Sequence, residues 1–82
     1  MLSAQDRLKK LRWQSRRGMK ELDVLFEAFF VDQAEPLLEG AWPELELLLE
    51  KEDDVLFDWV SGRNLPGDAA LLDLIKTLTN AA

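Results

Sequence analysis

Leu22-Asp23-Val24-Leu25-Phe26-Glu27-Ala28-Phe29-Phe30 places large apolar residues at positions 22, 25, 26, 29 and 30. This is the i, i+3, i+4, i+7, i+8 rhythm of one buried helical face, and strand alternation does not fit it. The spacing predicts a central helix over about 19–33, with Pro36 as its stop. Upstream, Ser3 caps an expected first helix of about 4–16, with Asp6 in its first turn, where negative charge suits the exposed N–H groups. Its apolar stripe is narrow, Leu8 and Leu11 with Leu2 ahead of them, so this helix is expected to lie over the others. Arg16 and Arg17 fall at its C-terminal end, where cations suit the helix dipole.

Downstream, a third helix is expected to begin near 40–43, because proline is tolerated in a first turn. It turns Leu45, Leu48 and Leu49 inward and Glu44, Glu46 and Glu50 to water. The acidic corner 50–54 breaks the stripe, and Asp53 or Asp54 can cap a fourth helix over about 55–61 with Leu56, Trp59 and Val60 on its inner face. Gly62 is its stop, 63–67 is turn chemistry, and Asp68 caps a fifth helix with Leu71, Leu72, Ile75 and Leu78 inward. No repeat or strand pattern competes. The expected fold class is all-α, a small five-helix bundle forming a single domain over 1–82.

The side-chain inventory narrows the function. There is no cysteine and no histidine, so disulfides, thiolate metal sites and the commonest general base are all missing. No EF-hand spacing occurs, and an enzyme is not expected. The N-terminus lacks the apolar core of a secretory signal, and no run approaches the roughly 18 apolar residues that cross a bilayer. A soluble cytoplasmic protein without membrane insertion is the expectation. The net charge of −6 is unevenly spread. Residues 1–20 hold seven bases and one acid, a balance of +6, whereas residues 21–82 hold three bases and fifteen acids, a balance of −12. Such asymmetry steers partners of mixed charge.

The two regimes meet at Trp13-Gln14-Ser15-Arg16-Arg17-Gly18-Met19-Lys20-Glu21. Arg17, Gly18 and Glu21 put a cation, bare backbone and an anion within about one helical turn. That combination suits docking against another surface better than chemistry on a small molecule.

Arg16-Arg17-Gly18-Met19-Lys20-Glu21-Leu22-Asp23, preceded by Trp13, resembles the Arg-Gly-x-x-Glu signature of the succinate dehydrogenase flavinylation factors (SdhE/YgfY-like). Leu48-Leu49-Glu50 followed by Asp53, Leu56 and Trp59 resembles that family's second signature, Leu-Leu-Glu-x-x-Asp-x-Asp-Leu-x-x-Trp. The chain departs from it at Val55, where the second aspartate usually stands. The resemblance covers roughly 7–78. It implies an assembly chaperone, not an enzyme, that binds the flavoprotein subunit of succinate dehydrogenase, and in bacteria of fumarate reductase, and promotes covalent attachment of FAD to a histidine of that subunit. It further implies that Arg17, Gly18 and Glu21 lie in the contact surface, while FAD and its histidine belong to the partner, leaving this chain with no cofactor of its own.

Blander readings stand beside these. Gly18 at N-cap with Glu21 at N3 imitates a capping box, which can hold together with an interface role. Arg16 is an interface candidate or simply a helix-end cation. Trp13 lies off the Leu8–Leu11 stripe and Phe57 off the Leu56–Trp59–Val60 face, so both are exposed partner-binding candidates, whereas Trp59 is expected in the core. Trp42 reads as packing at a helix start. Glu50, Glu52, Asp53 and Asp54 read as a solvated corner with one cap, and any role of the second signature's acid pair rests on Asp53 alone or on neighbouring Asp54. A different function class, a general helical adaptor or a nucleic-acid-binding regulator using the basic first helix, is the alternative; its nucleic-acid form is opposed by the acidic remainder and by a basic segment holding one aromatic. A monomer without nucleic acid is the expected state.

Overall fold

A computed structural model describes residues 3–80. Among them are six helices and no strand: α1 Ala4–Gln14, α2 Lys20–Asp32, α3 Ala34–Leu38, α4 Glu44–Leu49, α5 Asp53–Ser61 and α6 Ala69–Asn80. The all-helical expectation holds, but the count is six instead of five. The extra element is α3, which runs through Pro36, the residue expected to stop the central helix. Pro36 is the third residue of α3, and N–H groups in a first turn have no intrahelical acceptor, so its missing donor costs nothing there. Gln33 both ends α2 and caps α3.

Periodicity located the core. Leu22, Phe26, Phe29 and Phe30 of α2 are buried, as are Leu11, Leu45, Leu48, Leu49, Leu56, Ile75 and Leu78. Leu37 of α3 and Leu74 of α6 complete one continuous cluster that Leu8, Leu25, Trp42, Trp59, Val60 and Leu71 partly cover. Trp59, expected inside, is therefore only half-buried. Phe57, expected outside, is half-buried too, because α5 is short and both of its flanks are partly covered. Leu2 lies outside the described residues.

Helix ends follow local chemistry. Ser3 Oγ accepts the Asp6 N–H at 3.1 Å. Asp68 Oδ1 accepts the Ala70 and Leu71 N–H groups at 2.8 and 3.1 Å. Gly62 stops α5 in the left-handed region at φ 81°, a conformation that disfavours a Cβ. Two expected caps differ. Glu52, not Asp53 or Asp54, is the N-cap of α5, and Met19, not Gly18, is the N-cap of α2; neither gives a side-chain bond. Glu21 is thus the second residue of α2 instead of the third, and no capping box forms.

The link between α3 and α4 is held from α1. Arg7 donates from Nε to Glu46 at 2.8 Å and from its terminal nitrogens to the carbonyls of Leu37, Ala41 and Trp42 at 2.8, 3.1 and 3.1 Å. Trp42 needs such support, since its φ of 59° is unusual for a residue with a Cβ. Its ring meets Phe29 edge-on at 6.0 Å and its Nε1–H donates to Gln33 Oε1 at 3.0 Å. This link fixes α1 over α3 and α4 and so sets where the end of α1 delivers the next turn.

Candidate functional site

The α1–α2 corner begins where Ser15 ends α1. Ser15 is buried, its N–H donates to the Leu11 carbonyl at 3.0 Å and its Oγ donates to the Arg12 carbonyl at 2.7 Å. Sequence reasoning passed over Ser15; a serine directly before two arginines at a helix end, able to bond back to the preceding turn, was the available signal. The chain then passes Arg16 and Arg17 and reverses at Gly18, whose φ of 79° is left-handed. A Cβ built on Gly18 meets nothing within 4 Å. Glycine is therefore required by the backbone angle and not by internal crowding, and the space above it is open to solvent.

Arg17 carries its side chain inward, with 15% of it exposed. Nε donates to the Gln14 carbonyl at 3.0 Å, one terminal nitrogen donates to the Lys51 carbonyl at 2.8 Å and to Asp53 Oδ1 at 3.3 Å, and the other donates to the Leu49 carbonyl. Its backbone N–H donates to Asp23 Oδ1 at 3.0 Å, tying the corner to the first turns of α2. Leu49 ends α4 and Asp53 opens α5, so one guanidinium satisfies carbonyls at two helix ends and balances an acid at the start of a third element. The two sequence signatures meet at this residue: Arg17 belongs to the first, Leu49 and Asp53 to the second.

Around that strut Trp13, Arg16, Gly18 and Glu21 face outward. Trp13 is 77% exposed, Arg16, Gly18 and Glu21 are exposed, and neither Arg16 nor Glu21 uses its side chain in a hydrogen bond or ion pair among the described residues. Asp53 is half-buried beneath them against Arg17, and Phe57 lies one helical turn further along α5. Beside the corner, Arg12, Ser15 and Arg16 face Asp23, Glu27 and Phe30 across a cleft of about 330 Å³, with the Arg12 guanidinium 5.7 Å from the Phe30 ring centre. The result is an exposed tryptophan, two cations, an anion and uncovered backbone on one rigid bend. No group of three or more acidic side chains among the described residues could hold a metal ion, and no helix there is long and apolar enough to cross a membrane.

A family model described as "Flavinator of succinate dehydrogenase" matches residues 9–82, which take in the corner and both signatures. The chain belongs to that family. Among its relatives, proteins named "FAD assembly factor SdhE" from Coxiella burnetii, Pseudomonas aeruginosa and Photobacterium profundum are similar to it over most of its length. The first is 34% identical over 70 residues, covering 85% of both chains. The second is 42% identical over 72 residues, covering 87% of this chain and 84% of the relative. The third is 36% identical over 84 residues, covering 99% and 94%. No solved structure matches the chain to a significant degree. As a flavinator family member, the chain is an assembly factor and not an enzyme in the usual sense.

Proposed function

We propose that this protein binds the flavoprotein subunit of succinate dehydrogenase through its α1–α2 corner and promotes covalent attachment of FAD there. Family membership supports the role, and the observation that carries the site is the open backbone at Gly18 flanked by Trp13 and by the exposed side chains of Arg16 and Glu21, which are unpaired among the described residues. Arg17 and Asp53 act beneath this surface: they fix the bend, so the groups that touch the partner arrive preorganised and little ordering entropy is lost on docking. Phe57 extends the apolar part of the contact. The fumarate reductase flavoprotein is a second client of the same surface, and the factor works in the cytoplasm as a monomer.

FAD is the partner's. The cleft beside the corner sets Arg12 and Arg16 against Asp23 and Glu27, so its lining offers a pyrophosphate no net positive charge. The reacting histidine is also the partner's, since this chain has none. The contribution of the factor is to hold the partner's parts so that the nucleophile and the flavin carbon are close and aligned, an effect worth about 7–11 kcal/mol in favourable intramolecular reactions. A nucleic-acid role draws less support, as Arg7 and Arg17, two of the seven bases in residues 1–20, are spent on internal carbonyls. Expression of the flavoprotein subunit with and without this chain, followed by denaturation and measurement of flavin fluorescence on the polypeptide, tests the proposal. More retained flavin with the chain present is expected; equal retention would overturn it.

A further inference from the structure

While one face of α2 supplies the core, a second face is left uncovered. Val24 is 52% and Val31 72% exposed, Ala28 lies between them half-buried, and the three form a shallow open face with Glu27 and Asp32 on its flanks. Glu21, Val24, Ala28 and Val31 follow a 3-4-3 spacing and so share one side of the helix. The small side chain of Ala28 allows another backbone to come near at the middle of the stripe. Over its length α2 carries four acids, Glu21, Asp23, Glu27 and Asp32, against one base, Lys20.

We propose that this stripe is a second docking surface, occupied by a helix of the flavoprotein subunit with apolar side chains on one face and lysines or arginines on its flanks. The inference rests on the reading of the corner given above and extends it, because Glu21 is both the first position of the stripe and part of the corner. Charge selects the occupant. Acids border this face on both sides, so a cationic helix gains favourable pairing where an acidic one is repelled. Size argues against a second copy of this chain, since three small side chains fall far short of the roughly 800 Å² per partner of a stable interface. The stripe works as a continuation of the corner contact, and one partner spans both.

The test measures affinity for the FAD-free flavoprotein subunit by titration calorimetry at low and moderate salt. Four chains are compared: the parent, Gly18→Arg at the corner, the pair Ala28→Gln/Val31→Gln, and the pair Glu27→Lys/Asp32→Lys. Circular dichroism confirms that each is folded. Both α2 pairs are expected to bind about tenfold more weakly than the parent, and the charge-reversed pair is expected to lose most of the salt dependence that the parent shows. If Gly18→Arg abolishes binding while both α2 pairs bind like the parent, the second surface is refuted and the corner stands. If the parent itself does not bind, the function proposed above fails and this inference with it. Sedimentation of the free chain supplies the last arm: a dimer that the α2 substitutions dissociate would make a second copy the occupant and overturn the proposal.

Discussion

Replacing Arg17 by alanine should unfold the corner before it affects any partner. The guanidinium is the donor for the carbonyls of Gln14, Leu49 and Lys51. Each such bond contributes about 1 kcal/mol net. The contact with Asp53, at 3.3 Å and with 41% of the Asp53 side chain exposed, adds less than about 1 kcal/mol because water screens it. The sum is about 3 kcal/mol. A chain of 82 residues has a total stability of roughly 4–12 kcal/mol at about 0.05–0.15 kcal/mol per residue, so the loss is a large share. At about 4–8 °C per kcal/mol for a domain of this size, the melting temperature should fall by about 12–24 °C. Arg17→Lys keeps the charge but has no planar fork, and should recover less than half of the loss. Urea unfolding followed by circular dichroism, with the slope checked for constancy, measures both variants. An Arg17→Ala protein within about 0.5 kcal/mol of the parent would refute the reading of Arg17 as the strut of the corner.

Other substitutions separate structure from docking. Gly18→Ala and Gly18→Arg should lose the same stability, about 1–2 kcal/mol for a Cβ at positive φ, yet only the arginine variant should lose flavin transfer in the co-expression assay, since it covers the open backbone. Trp13→Ala should leave the melting temperature within a few degrees of the parent and weaken binding to the flavoprotein subunit by about tenfold, as expected of an exposed aromatic at an interface. Arg7→Ala should cost about 2–4 kcal/mol by releasing the carbonyls of Leu37, Ala41 and Trp42, while flavin transfer at a temperature where the variant is folded should stay at the parent level.

Much of this was legible in the sequence, for reasons tied to particular residues. Leu22 to Phe30 repeat with a helical period long enough to specify both element and inner face, and Ser3, Asp68 and Gly62 are end signals that act through their own side chain or backbone angle. Pro36 misled because the same lost N–H that ends one helix is harmless in the first turn of the next, and sequence spacing alone does not separate the two cases. Phe57 and Trp59 were assigned to opposite environments by a periodicity that assumes one deep core; α5 is too short and too peripheral to offer such a contrast. The inward course of Arg17 was the larger omission. Besides the nearby Gln14 carbonyl, its acceptors are the carbonyls of Leu49 and Lys51, more than 30 residues away, and carbonyls leave no mark in a sequence; only Asp53 hinted at the connection. Val24 and Val31 went unremarked because the stronger stripe beside them explained the helix without them.

The central claim is that the corner presents a docking face whose exposed groups are not needed for folding, and Glu21→Ala addresses it most directly. One preparation should be divided between a thermal melt and co-expression with the flavoprotein subunit read by flavin fluorescence after denaturation. The account predicts a melt lowered by no more than a few degrees, because Glu21 makes no side-chain bond among the described residues and loses only the small favourable effect of an acid in a helix's first turn, together with flavin retention reduced toward the level found without the chain. Parent-level retention from a folded Glu21→Ala protein would contradict it.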